Sequence, residues 1–259
     1  MNLNLRGKSA LITGASRGIG AAISVILAQE GCKLHLAARN EAALRLSARQ
    51  LSQDFGVEVT IHSLDLSKSD NVASLGASCG EIDILINNAG DIPVGQLQDI
   101  SPDEWRRAWD LKVYGYVDLT RIIYPKMCQR GSGAIVNIVG AAGERANHNY
   151  IAGCMANAAL MMFTQCLGGE SMRHGVRVVS VNPGPTNSER HLSHVKIRAR
   201  RELGDETRWA ELQARFPAGR ACNVDEVART VAFLASDAAS YISGASIRID
   251  GGISVSRTS

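Results

Sequence analysis

SALITGASRGIGAAISVILAQ, residues 9–29, decides the fold. A short apolar run, Ser9 to Thr13, enters a glycine-punctuated turn, Gly14-Ala15-Ser16-Arg17-Gly18-Ile19-Gly20, and leaves it as a segment with helical spacing of its apolar residues. Strand, turn and helix therefore follow one another without a linker. Gly14 permits the tight exit from the strand, while Gly18 and Gly20 let backbone and helix approach a ligand closely. The exposed N–H groups and dipole of a helix N-terminus favour an anion such as a pyrophosphate. Glycines alone would also suit an ordinary turn, but their place between a strand and a helix makes them a dinucleotide-binding pattern.

Outward from this unit, apolar runs alternate with helical patterns. The runs are SALITG, KLHLAAR, VTIHSLD, IDILINNAG, AIVNIVG, VRVVSVNPG and SIRIDGG, which gives seven strands. Helices are predicted over Gly18 to Gln29, Glu41 to Phe55, Lys68 to Ser78, Pro102 to Gln129, Tyr150 to Arg173 and Val224 to Ser236. Continuous apolar strands are those covered on both faces, and strict βα alternation implies a right-handed parallel sheet. The expected fold class is α/β, a single doubly wound parallel sheet of the Rossmann type. One domain spans residues 1–259, and its alternation is broken by an insertion from about 186 to 216.

With 45% apolar residues, 259 residues suffice for one substantial core. A net charge of +3 and 20% charged residues are too mild for nucleic acid or a membrane surface as the main partner, and small anionic ligands fit better. The start, MNLNLRGKSALITG, carries no secretory pattern, and no stretch reads as a spanning helix, so a cytoplasmic location is expected. Cysteines 32, 79, 128, 154, 166 and 222 show neither CxxC nor metal-ligand spacing; they read as reduced thiols, and no metal is expected.

The second strand, KLHLAAR, ends without the acidic residue that holds an unphosphorylated ribose. Arg39 stands there instead, and Arg17 lies in the glycine loop. Two guanidinium groups favour a 2′-phosphate, hence NADP(H) over NAD(H), unless both are simply solvated.

Along essentially its whole length the chain resembles the short-chain dehydrogenase/reductases. TGASRGIG matches their cofactor loop. Asp65, followed by Leu66, matches the acid that contacts adenine, and Asn87-Asn88-Ala89-Gly90 matches the NNAG turn. Asn182-Pro183-Gly184, running on to Thr186, matches the wall of the nicotinamide pocket. FPAGR, EVA, FLASD, YISG and IDGG follow the family's carboxyl-terminal pattern. The resemblance implies cofactor contacts from Gly14, Ser16, Arg17, Gly18, Ile19, Gly20, Arg39, Asp65, Leu66, Asn88, Ala89, Gly90, Pro183, Gly184 and Thr186. It also implies a homotetramer or homodimer, with the long helices as its faces, and a lid formed by the insertion.

The same resemblance implies a catalytic asparagine, serine, tyrosine and lysine, and here the chain departs from the pattern. Tyr150 is followed four residues later by Cys154, which cannot be its cationic partner. The helix pattern instead aligns Asn157 with the lysine and Gly153 with the tyrosine; thirteen residues upstream, Gly140 takes the serine's place. Lys112, in EWRRAWDLKVYG, takes the asparagine's place. Lysine and asparagine thus look exchanged between two helices, with Lys112 reaching toward the ribose and Asn157 supplying a neutral hydrogen bond; alternatively Lys112 extends to solvent or pairs with Asp110. Tyr150 is the remaining proton donor near the site, or packs structurally; Glu144 and Arg145 line the substrate end or form a solvated loop.

The insertion carries His191, His194, Lys196, Arg198, Arg200 and Arg201, which would meet an anionic substrate or form a solvated helix face. Three functions follow: an NADP(H)-dependent oxidoreductase with a non-standard proton donor, using Lys112 and Tyr150; a cofactor-binding module without turnover; or a non-redox lyase or isomerase on the same scaffold.

Overall fold

The computed structural model describes residues 2–256. Its first half is β1 (Ser9–Thr13), α1 (Gly18–Gln29), β2 (Lys33–Ala38), α2 (Glu41–Phe55), β3 (Val59–Ser63), α3 (Ser69–Ser78) and β4 (Ile84–Asn87). The second half is α4 (Pro102–Trp109), α5 (Gly115–Arg130), β5 (Gly133–Ile138), α6 (Ile151–Ser171), β6 (Val176–Pro183), β7 (Thr186–Asn187), α7 (Glu189–Leu203), α8 (Trp209–Ala214), β8 (Cys222–Asn223), α9 (Val224–Ala235) and β9 (Ser246–Ile249). Seven strands form one parallel sheet in the order β3-β2-β1-β4-β5-β6-β9, while β7 and β8 pair separately. The doubly wound fold expected from the alternation is the one found.

Period-two alternation divides the core between the two sheet faces. Ile12, Leu36, Ile86, Val136 and Val179 pack on one side with Ile23 and Leu27 of α1 and Val227 and Val231 of α9. Leu11, Leu85, Ile135 and Val178 pack on the other with Leu75 of α3 and Leu119, Ile123 and Met127 of α5. Full burial of each such side chain stabilises by about 1.5–3 kcal/mol. Winding reverses between β1 and β4, so the loops after these strands diverge and open a crevice at their carboxyl ends.

Three sequence expectations need correction. The helix read as continuous from Pro102 to Gln129 is interrupted by a π-turn, Asp110–Tyr114, which contains Lys112 and joins α4 to α5. Tyr150 was placed in a helix, but its φ of −145° and ψ of 37° leave it just outside α6. Finally, the segment Ile151–His174 is long and apolar enough by composition to cross a membrane. Within it Ala152, Ala156 and Leu160 are buried in the core, and 44% of the apolar window is inside the molecule.

The insertion is itself folded. Ser188 caps α7 by accepting from the His191 amide, and Val195 and Ala199 pack with Leu212, Leu203 and Trp209 into a small separate core.

Candidate functional site

A cleft of about 850 Å³ opens at the carboxyl ends of β1, β4, β5 and β6. Gly14, Ser16, Arg17, Gly18, Ile19, Arg39, Leu66, Asn88, Ala89, Gly90, Pro183, Gly184 and Thr186 line it, as do Lys112, Gly140 and Tyr150. Two expected residues do not. Gly20 is buried in α1, where a Cβ would collide with the Gly14 carbonyl and the Asn88 side chain; its role is close packing beneath the loop. Asp65 borders a smaller adjoining hollow with Arg39 and Asp91, and its carboxylate accepts from the Ser67 amide (3.0 Å) and hydroxyl (2.9 Å). Burial alone would raise its pKa, but the two Ser67 hydrogen bonds, helped by Arg39 and Lys68, hold it below the usual range.

The glycine loop and the NNAG turn are fastened together. The Thr13 hydroxyl accepts from the amides of Asn88 (2.8 Å) and Ala89 (3.0 Å), while Asn88 Nδ2 donates to the Thr13 carbonyl at 2.9 Å. A Cβ on Gly14 would lie 2.9 Å from Asn88 Nδ2, so this crossing requires glycine, as does the φ of 66° there. Below it, Asn87 Nδ2 donates to Asn137 Oδ1 (2.9 Å) and Asn137 Nδ2 to the Thr164 hydroxyl (3.0 Å), a buried chain tying β4, β5 and α6 at fixed spacing.

These features fit a dinucleotide. The N-cap of α1, Arg17, is extended and contributes no side-chain cap, and the first turn has no acidic residue. The helix's positive end thus faces the cleft uncompensated, as a pyrophosphate site requires. At the adenosine end the Arg39 guanidinium is exposed, 3.8 Å from the Asp91 carboxylate.

At the other end, Lys112 turns inward rather than to solvent or Asp110: its Nζ donates to the Val139 carbonyl at 2.6 Å. Burial, augmented by the nearby Arg190 guanidinium, brings the Lys112 ammonium down to about 7. Gly140 has φ 132°, a conformation closed to side chains, and a Cβ there would lie 2.9 Å from Asn157 Nδ2. Asn157 is buried, with no hydrogen-bond partner for Oδ1 among the described residues. Tyr150 lies over Gly153: a Cβ at 153 would fall inside the Tyr150 ring, against Cε1 and Cζ. The ring is steadied by a cluster of Ile92, Ile100, Trp105, Trp109 and Ala152. Trp109 Nε1 donates to the Ala152 carbonyl at 3.3 Å, so these tryptophans pack within the chain. Burial raises the Tyr150 phenol, with Arg190 pulling the other way.

The insertion covers this end. Arg190 donates to the carbonyls of Gly90 (3.2 Å) and Ile92 and stands 3.7 Å from Asp91. Arg190, His191 and His194 line the cleft; Lys196, Arg198, Arg200 and Arg201 do not, and Arg198 pairs with Glu202 on the same helix. Sequence reasoning missed Arg190 because only folding reveals that the first turn of α7 points back at the NNAG turn. Glu144 lies outside the cleft, accepting from Asn182 Nδ2 (3.0 Å) and pairing with Arg248 (3.1 Å). The Arg145 carbonyl accepts from the Cys154 thiol.

Comparison with known proteins supplies a context for this geometry. A family profile described as Enoyl-(Acyl carrier protein) reductase matches residues 14–254. The uncharacterized oxidoreductase YvrD of Bacillus subtilis (strain 168) is 34% identical over 263 residues, spanning 98% of this chain and 98% of its own. The 3-oxoacyl-[acyl-carrier-protein] reductase FabG of Escherichia coli (strain K12) is 33% identical over 255 residues, spanning 97% of this chain and 99% of its own. Among solved structures, L-sorbose reductase from Gluconobacter frateurii, in complex with NADPH and L-sorbose, superposes with a TM-score of 0.92. It is 31% identical, and the match covers 99% of this chain and 100% of that one.

Proposed function

The chain belongs to the short-chain dehydrogenase/reductase family, and from that premise we propose that it is an NADP(H)-dependent oxidoreductase whose proton donor and cationic partner are Tyr150 and Lys112. The observation that carries this reading is the overlap of the Tyr150 ring with the side-chain position of Gly153. The Tyr150 ring, three residues upstream, fills the space that the first carbon of a side chain at the tyrosine-aligned position Gly153 would enter.

The bound nicotinamide supplies or accepts hydride. The chain's own groups do the rest. The uncapped end of α1 holds the pyrophosphate, Arg39 and Arg17 take the 2′-phosphate, and Pro183, Gly184 and Thr186 wall the nicotinamide end. Tyr150 gives its phenolic proton to the substrate oxygen in the reducing direction and recovers it from solvent. Lys112, whose Nζ donates to the Val139 carbonyl at 2.6 Å next to Gly140, is the group that would reach the nicotinamide ribose. Asn157 fills the space beside Gly140 in place of a lysine. The substrate is a small carbonyl or activated C=C compound, and Arg190 and His194 on the lid suit one with an anionic group. Exposed Tyr114, Met155 and Met162 support assembly of this chain into a homodimer or homotetramer. Six free thiols support a cytoplasmic enzyme.

The test is calorimetric titration with NADPH and NADH, followed by stopped-flow mixing of the NADPH complex with carbonyl, enone and imine acceptors. Acceptor-dependent loss of the reduced nicotinamide signal, abolished in Tyr150→Phe, is expected. Tight binding without oxidation across the panel would make the chain a non-catalytic cofactor-binding module, and turnover with an unchanged nicotinamide signal would make it a lyase or isomerase.

A further inference from the structure

Away from the cleft, three ligand-bearing side chains converge between β2, β3 and α3. His35 is on β2 and His62 on β3, where Ala37 pairs with His62 and His35 with Thr60, so both imidazoles leave the same face of the sheet. Cys79 is the C-cap of α3, buried in the core on that face. His35 Nδ1 lies 3.1 Å from His62 Nε2, and Cys79 Sγ lies 3.6 Å from that same Nε2. All three atoms are within 4.8 Å of one another. The ring centroids are 5.4 Å apart and the planes inclined by 17°, so the rings meet edge to edge through His35 Nδ1 and His62 Nε2.

These distances are the edges of a metal polyhedron. Zinc bound tetrahedrally has Zn–N of about 2.0–2.1 Å and Zn–S of about 2.3 Å, which sets an N···N edge of about 3.3 Å and an N···S edge of about 3.6 Å. Two edges are therefore close to coordination length, and the third, Cys79 Sγ to His35 Nδ1, lies within 4.8 Å and shortens by up to about 1 Å on binding.

We propose that His35, His62 and Cys79 form a zinc(II) site of two imidazoles and one thiolate, with the fourth position taken by water. The donor set has the nitrogen and sulfur softness that zinc favours over magnesium or calcium. In the metal-free chain the two facing nitrogens share one hydrogen bond, and binding requires the donor imidazole to carry its proton on the other ring nitrogen. Cys79 is a free, buried thiol, and its S–H proton must leave for the sulfur to act as a ligand. Binding replaces that proton: the S–H bond breaks, a Zn–S bond forms, and one proton leaves to solvent for each ion bound. The carbonyl end of α3 adds a favourable field for a cation. Lys126, whose ammonium is engaged by the Gly76 carbonyl at 3.0 Å, is the opposing charge. The sequence spacing gave no hint of this site, because positions 35, 62 and 79 are brought together only by the β2–β3 register and the end of α3. None of the three lines the cofactor cleft, so the site acts as a staple between β2, β3 and α3.

The experiment is titration of chelator-treated full-length protein with cobalt(II), then zinc(II). One equivalent of cobalt is expected to produce a thiolate charge-transfer band in the near ultraviolet and tetrahedral d–d bands in the visible, both erased by zinc with no further proton release. Zinc is expected to raise the thermal midpoint of the wild type. Cys79→Ser and His62→Gln should lose the bands and the shift, whereas Cys166→Ser, at an exposed thiol, should keep both. Absence of the charge-transfer band from the wild type would overturn the proposal whatever the variants do. Bands that survive in folded Cys79→Ser, or vanish in Cys166→Ser, would overturn it as well.

Discussion

The ring of Tyr150 stands where a side chain on Gly153 would have to go. The two positions are mutually exclusive, because Tyr150 sits outside α6 and folds back over its first turn against Trp105 and Trp109. This exclusivity makes the proposed donor testable separately from its packing. Tyr150→Phe keeps the ring and removes only the hydroxyl, so NADPH affinity should stay within about two-fold while turnover falls by roughly 10²–10⁴, the usual contribution of a positioned acid. Single-turnover stopped-flow measures both; unchanged turnover would remove Tyr150 from the chemistry.

The same overlap predicts non-additivity. Gly153→Ala should destabilise by about 1–3 kcal/mol through overpacking against the ring. In a Tyr150→Ala background the same substitution should cost much less, with a coupling of at least about 1 kcal/mol. Chemical denaturation of the four chains closes the cycle. Additive effects would mean that the ring moves freely aside.

Lys112 gives stability a pH dependence whose sign can be worked out. Its usual pKa is 10.5, and the folded chain brings it down to about 7 by burial, with Arg190 adding to the effect. Between these values the unfolded chain holds a proton that the folded chain has released, so stability rises with pH over that interval. Below about 7 the folded chain bears the full cost of a buried ammonium. Lys112→Met keeps the aliphatic stem and removes the titration. It should stabilise the cofactor-free protein by about 1–2 kcal/mol at pH 6, with solvent access and the lost Val139 hydrogen bond limiting the gain. That gain should fade by pH 10. Urea midpoints across this range check it, and a pH-independent difference would show that Lys112 carries no shifted proton.

Most of the architecture could be read from the chain, and the reasons are local. A parallel strand covered on both faces, such as SALIT or VRVVSV, must be mostly apolar, with its buried Thr13, Arg177 and Ser180 each hydrogen-bonded, and the glycine loop must have its glycines because Gly14 crosses Asn88 too closely for a side chain. The residues lining the cleft were legible on the same grounds, apart from Gly20 and Asp65, whose places depend on neighbours. What could not be read were contacts between distant segments. Lys112 lies in the π-turn at Asp110–Tyr114 and points inward to the Val139 carbonyl, and neither hydrophobic spacing nor charge encodes that turn. Arg190 reaches the NNAG turn across a separation of 100 residues, and the His35–His62–Cys79 cluster depends on strand register.

Arg39 provides the coenzyme test. Its guanidinium is exposed and only loosely paired with Asp91 at 3.8 Å, so a 2′-phosphate can take it over without breaking a strong contact. Arg39→Ala should weaken NADPH by roughly 10- to 100-fold, the worth of a charge-assisted hydrogen bond, and alter NADH affinity by less than about two-fold. Calorimetry with both nucleotides decides it, and parallel losses would place Arg39 away from the phosphate.

Arg190 couples the insertion to Lys112. Its hydrogen bonds to the Gly90 and Ile92 carbonyls hold the first turn of α7 on the NNAG turn, and its charge is one of the influences lowering Lys112. Arg190→Met should therefore have two linked effects. Loss of two hydrogen bonds, each worth about 1 kcal/mol net, should loosen α7 and speed hydrogen exchange there several-fold while β1 and β4 stay protected. Removal of the charge should raise the Lys112 pKa, shifting the lower limit of the stability rise upward in pH. Both changes are expected together, because one side chain makes the contact and carries the charge. Faster exchange with an unmoved Lys112 titration would show that α7 closes over the cleft without setting its electrostatics.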